Sequence, residues 1–164
     1  MYTLISSTYT IRPPQNSSEW TVVKQLLLDY RAEFNDDACF TSFDKELSDI
    51  ESLYALSGNV KLIAVSDSDG EIAGCIAAQE FSPSITEMKR LYVAPAHRGQ
   101  QLGKTLVETI MAISKSEGYE KIYLDTMVEM KVAQYLYDQL GFVVIGPYDD
   151  QDEGKMICYE KNLK

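Results

Sequence analysis

Residues 85–104 read ITEMKRLYVAPAHRGQQLGK. Ile85–Val93 is rich in β-branched, aromatic and apolar residues and is stopped by Ala94-Pro95, which predicts a strand. Glycines at 99 and 103 punctuate the turn that follows. From Gly103 to Glu117, Leu106, Val107, Ile110, Met111 and Ser114 recur at helical spacing, with Gly118 placed as the C-cap. A strand, a glycine-containing loop and a helix in this order aim unpaired backbone N–H groups and the positive end of a helix dipole at one mouth.

The charge of this stretch differs from that of the rest of the chain. Of 164 residues, 25 are acidic and 15 are Lys or Arg, for a net charge of −10. Met88–Val107 nevertheless holds no acidic residue, where about three would be expected from 25 in 164, and it carries Lys89, Arg90, Arg98, Lys104 and His97. One reading is a solvated face. The other is a cradle for a polyphosphate, in which several contacts must act together because each exposed helix-end contact contributes only ~0.3–1 kcal/mol. The spacing fits neither G-x-x-x-x-G-K-[ST] nor G-x-G-x-x-G, since Gly99 stands one residue too close to Gly103-Lys104-Thr105.

Working outward, Tyr9–Arg12 predicts a short strand before Pro13-Pro14. Asn16, Ser17 and Ser18 offer N-caps for a helix over Glu19–Phe34, and Phe40–Ser57 has the period of a second helix, broken or continuous. Val60–Ser66 and Glu71–Glu80 flank the turn Asp67–Gly70 as a hairpin. Lys121–Thr126 is a strand, Val128–Leu140 a helix ended by Gly141, and Phe142–Ile145 and Lys155–Tyr159 are strands around a polar loop. Three strands in series, then alternating strand and helix, predict an α/β (α+β) fold in one domain. Its mixed sheet is antiparallel first and parallel later.

Composition narrows the function. An acidic chain is a poor non-specific binder of nucleic acid or anionic membrane. No apolar run approaches a membrane span and the start lacks a signal pattern, so a soluble, cytoplasmic protein is expected. Cys39, Cys75 and Cys158 are odd in number and widely spaced, and Cys75 and Cys158 sit in strand-like runs as small core residues. With one histidine, His97, the chain has no His/Cys cluster for zinc, and no metal is expected.

Arg98-Gly99-Gln100-Gln101-Leu102-Gly103 resembles the pyrophosphate loop, [QR]-x-x-G-x-[GA], of the GNAT superfamily of acyl-CoA N-acyltransferases. EMKRLYVAPAHRG is similar to that family's fourth strand and loop. LDTMVEMKVAQYLYDQLGF is similar to its fifth strand, next helix and Y-x-x-L-G-F ending. The likeness spans nearly the whole chain. It implies a sheet of about six or seven strands with flanking helices, splayed between the fourth and fifth strands, where acetyl-CoA lies as acyl donor. The departure is Gln101, which stands where the family has a glycine that allows close backbone approach to phosphate. Either it weakens donor binding or it only turns a side chain outward.

Carried over residue by residue, the resemblance implies a donor held by the backbone of Leu91, Tyr92 and Val93. Its pyrophosphate would meet Arg98, Gly99, Gln100, Gln101, Leu102, Gly103 and Lys104. Tyr137 matches the family tyrosine that serves the departing thiolate, with Tyr135 and Leu136 as neighbouring core positions. Glu87 is the candidate base for the amine, against a plain surface carboxylate paired with Lys89 or Arg90. Tyr30, Glu33, Phe34, Phe40, Phe43 and Tyr148 are nominated for the acceptor, and Arg90 and Thr126 for a carboxylate on it. Each competes with an ordinary core or surface role. The expected reaction is direct transfer of acetyl to a primary amine of a small molecule. A protein N-terminus or lysine as acceptor, and a CoA-binding module with little activity, are the alternatives. Relatives of this kind often dimerise, so a homodimer is one expected state, but no seam is marked.

Overall fold

The computed structural model describes residues 4–5, 8–34 and 42–164. In chain order they form β1 (Leu4–Ile5), β2 (Tyr9–Arg12), α1 (Ser17–Phe34), α2 (Phe43–Ser48), α3 (Ile50–Ala55), β3 (Val60–Ser66), β4 (Ile72–Ser82) and β5 (Ile85–Val93). A 3-10 turn (Pro95–His97), α4 (Leu102–Ser116), β6 (Lys121–Met127), α5 (Lys131–Gln139), β7 (Val143–Ile145) and β8 (Met156–Asn162) follow. The strands make one mixed sheet in the order β1-β2-β3-β4-β5-β6-β8-β7. Seven of them match the expected six or seven; the two-residue β1 adds an eighth at the edge.

Local chemistry explains the element ends. The Glu19 N–H donates to Asn16 Oδ1 at 3.0 Å, while the Glu19 carboxylate accepts from the Gln15 N–H and takes both Arg12 nitrogens. This reciprocal cap starts α1 two residues earlier than the periodicity predicts. The second helical stretch is broken, as one reading allowed, at Asp49, whose backbone leaves the helical region at φ −148° and ψ 51°. At the end of α4, Gly118 N–H bonds to Lys115 O and Tyr119 N–H to Ser114 O, with Gly118 at φ 94°. That is the expected glycine C-cap.

Predicted bounds also move at α5 and β8. Helix α5 begins at Lys131, not Val128, because β6 runs on to Met127 by pairing with Met156. The Gln134 amide then caps the Met127 and Val128 carbonyls at 3.0 Å each. Strand β8 extends to Asn162 because it pairs β6 along its whole length.

Each face of the sheet has its own core. Leu102, Leu106, Val107, Ile110 and Ile113 of α4 pack one face against Leu62, Ile76, Met88, Ile122 and Leu124. Val23, Leu26, Leu27 and Tyr30 of α1, with Phe43, Ile50 and Tyr54 of α2 and α3, cover Ile63, Cys75, Ala77 and Tyr92 on the other. Cys75 and Cys158 are buried as expected, and loss of solvent raises both thiols, Cys158 to about 11. Cys39 lies outside the described residues.

The functional geometry follows from how β5 pairs. Every neighbouring pair of strands is antiparallel except β5 and β6, which run parallel for only three pairs, Ile85–Lys121, Thr86–Ile122 and Glu87–Tyr123. On its other side β5 bulges. Cys75 faces Tyr92 and Ala77 faces Lys89, so Arg90 and Leu91 together oppose Ile76. Arg90 takes φ 58°, a left-handed conformation that costs an L-residue roughly 1–2 kcal/mol. Beyond Glu87 the parallel strands part, as the splayed sheet predicts, and the gap opens at their carboxyl ends.

Candidate active site

A cavity of 1230 Å³ occupies the gap. Its floor is β5 from Glu87 to Val93 and Asp125-Thr126 of β6. Its walls are Tyr30, Glu33 and Phe34 of α1, the start of α4, one side of α5, and Asp149–Gln151 of the loop before β8.

The loop after β5 performs as its glycines suggest. Gly99 has φ 79° and Gln101 has φ 61°. The first helical bond of α4 runs from the Thr105 N–H to Gln101 O at 3.1 Å, which leaves the Leu102, Gly103 and Lys104 N–H groups ahead of the ladder. Leu91, Tyr92, Val93, Arg98, Gly99, Gln101, Leu102, Gly103, Lys104 and Tyr137 all line the cavity. Gln100 does not: its side chain accepts from the Tyr9 hydroxyl at 3.3 Å and lines a smaller hollow with His97. The family glycine at position 101 now has a physical reason, since the turn requires a left-handed residue there. Gln101 adopts that conformation, is exposed and lines the cavity.

The two arginines are committed to carboxylates of the helical layer. Arg98 makes two bonds of 2.7 Å to Glu33, donates Nε to Val93 O at 2.9 Å and lies 5.5 Å over the Tyr92 ring. Hydrogen bonding from Arg98 holds the Glu33 carboxyl below its ordinary value, and burial, with Glu33 beside it, pushes Tyr92 up to about 12. Arg90 was nominated for a substrate carboxylate, but the bulge turns its Nε onto Glu46 of α2 at 2.7 Å. Both side chains are buried, 7% and 4% exposed.

Glu87 lines the cavity at the last parallel pair. The Tyr148 hydroxyl donates to Oε2, and the Lys89 ammonium stands 3.3 Å from Oε1. Tyr148 itself is stacked 4.6 Å from Tyr123 and packed against Phe81, and burial followed by the Glu87 charge makes its hydroxyl far less acidic than usual. It therefore meets the cavity through Glu87 rather than as wall. Tyr137 is buried, its ring edge-on to Phe142 and Tyr159, and it lines the cavity between α5 and the sheet. Tyr30 stacks on Tyr92 at 5.2 Å, and Phe34 packs edge-on to Tyr30. The Thr126 hydroxyl is directed to Met130 Sδ. Phe43 is core, beneath the Arg90 and Arg31 guanidiniums, and Phe40 lies outside the described residues.

Sequence reasoning missed Asp125, and met Gln151 only as part of a polar loop. The Gln151 amide donates to Asp125 at 3.2 Å while its oxygen accepts from the Tyr148 and Asp149 N–H groups, so one side chain ties the loop to β6. An aspartate inside the apolar strand KIYLDT is a legible signal, because even a half-buried carboxylate there needs partners.

A profile of the Acetyltransferase (GNAT) family matches residues 20–142. The chain belongs to that family. An uncharacterized N-acetyltransferase of Schizosaccharomyces pombe is 36% identical over 139 residues, covering 84% of this chain and 83% of that one. A GNAT-family acetyltransferase of Staphylococcus aureus superposes with a TM-score of 0.78 at 25% identity, over 95% of this chain and 99% of that one. A putative acetyltransferase of Salmonella typhimurium, solved with acetyl-CoA, shares the fold with a TM-score of 0.74 at 18% identity, over 95% and 94% of the two chains. Membership makes this GNAT protein an acyl-CoA-dependent N-acetyltransferase. Among the described residues, no helix is long and apolar enough to cross a membrane.

Proposed function

We propose that this GNAT enzyme transfers acetyl from acetyl-CoA to a primary amine of a small molecule. The observation that carries the reading is the parting of β5 from β6 beside the α4 N-terminus, with one cavity joining them. The residues present fit the donor. The edge of β5 beyond Glu87 offers peptide groups to an extended amide chain. The N–H groups of Leu102–Lys104 face where a pyrophosphate would lie, and a Cβ on Gly103 would touch nothing closer than 3.7 Å.

When bound, acetyl-CoA supplies an acetyl thioester open to attack by an amine, with the CoA thiol as leaving group. An ammonium has a pKa near 10, so freeing the amine at pH 7 costs about 4 kcal/mol. In this reading Glu87 accepts that proton, its carboxylate held by Tyr148 and Lys89. Tyr137, which lines the cavity, gives a hydrogen bond to the developing thiolate. Asp149 and Asp150 on the acceptor side favour approach of a protonated amine. The test is thiol release from acetyl-CoA with the purified protein across a panel of small amines, beside a thermal-shift series with acetyl-CoA, CoA and ATP. Stabilisation by the CoA species alone, with release that depends on an amine, is expected. A shift without release for any amine would leave only a binding module.

A further inference from the structure

We propose that Glu46, on α2, is a positioning residue for acetyl transfer: acting through Arg90, it holds the bulge that parts β5 from β6 and presents Leu91–Val93 to the donor. The inference rests on the reading in which the donor lies along β5. Several contacts hold the bulge. The Arg90 Nε bonds to one Glu46 oxygen at 2.7 Å, and the Tyr54 hydroxyl donates to the other. The Gln79 amide donates in turn to the Tyr54 oxygen at 3.1 Å. The Phe43 ring lies 5.0 Å beneath the guanidinium, and the Cys75 thiol stands 3.6 Å from the Arg90 carbonyl on the neighbouring strand.

Stability alone gives no reason to bury this pair. Two charges withdrawn from water commonly recover no more than an apolar pair of the same size would provide, whereas they fix geometry more narrowly. The geometry fixed here is a left-handed residue at the bulge of β5 against β4, three residues past the last parallel pair with β6. The same pair links α2 to the strand that offers peptide groups to the donor.

The test uses the full chain with Glu46→Gln and the milder Tyr54→Phe, assayed well below their melting temperatures. Misplacing a binding edge by a fraction of an ångström should raise the acetyl-CoA KM of Glu46→Gln about tenfold, and that of Tyr54→Phe about threefold. Turnover at saturating donor should change by less than about twofold. CoA-dependent hydrogen-exchange protection at Leu91–Val93 should fall in parallel. Variants that melt lower but keep the wild-type KM would make Glu46 merely structural and overturn the proposal; if Glu46→Gln does not fold, an unchanged KM in Tyr54→Phe overturns it. A wild-type protein that binds CoA without protecting Leu91–Val93 would instead refute the donor reading itself.

Discussion

The Arg98 guanidinium and the Glu33 carboxylate are joined by two bonds of 2.7 Å, which tie the loop ahead of α4 to the end of α1. Both residues face the cavity, so a carboxylate occupies the group best suited to an anionic donor.

Glu33→Gln should therefore tighten acetyl-CoA. A partly exposed pair contributes ~0.2–1 kcal/mol, so the dissociation constant should fall by about 1.4- to fivefold. Titration calorimetry at low and moderate salt measures it. Weaker binding would mean that Glu33 orients Arg98 for the donor rather than competing with it.

Gln101→Gly removes a left-handed side-chain residue from the same loop. Relief of about 1 kcal/mol should raise Tm by roughly 2–4 °C for a chain of this length. Gln101→Val, β-branched at the same φ, should lower it. A thermal scan in which glycine gives no gain would place the strain elsewhere.

Tyr137→Phe should cost about 10²-fold in turnover while acetyl-CoA binding is kept, because one oriented donor is lost at the leaving group. Glu87→Gln should flatten the acidic limb of the pH–rate profile. Steady-state kinetics across pH decide both, and a profile unchanged in Glu87→Gln would remove its role as base.

Acid stability follows from Glu46. Burial pushes its carboxyl up, but the Arg90 and Lys61 charges and the bonds from Tyr54 and Arg90 outweigh that and hold it below the ordinary 4.5. A carboxyl depressed on folding stabilises fully above its unfolded value, and the contribution is lost as pH falls from about 4.5 through the lower folded value. Glu46→Gln should thus show a shallower decline of Tm below pH 4.5 than the wild type. Some slope will remain, since Glu19 and Glu33 are depressed by their own arginines. Identical slopes would show that Glu46 does not carry the effect.

The strand–loop–helix unit at residues 85–116 was legible because its signals are local: alternation, a proline stop, two glycines and a helical period. The backbone of the loop ahead of α4 came with it. The side-chain part did not. Arg90 and Glu46 are 44 residues apart, and Arg98 and Glu33 are 65 apart, so no spacing rule could foresee that both arginines would be claimed by the helical layer. The bulge was hidden for a similar reason, because Arg90 is an ordinary strand residue by composition and only the pairing of β4 against β5 forces its positive φ. The Tyr148–Glu87 contact also depends on where an irregular loop comes to rest, although both residues were singled out separately.

Three parallel pairs form the whole strand ladder between the five strands β1–β5 and the three strands β6, β8 and β7. The molecule is thus two half-sheets with a short seam, and a strand-like donor lying in the gap would act as the missing rungs. Occupancy of the site and mechanical continuity of the sheet then become one property. The empty protein should yield first along this line, while the loaded one resists as a single unit.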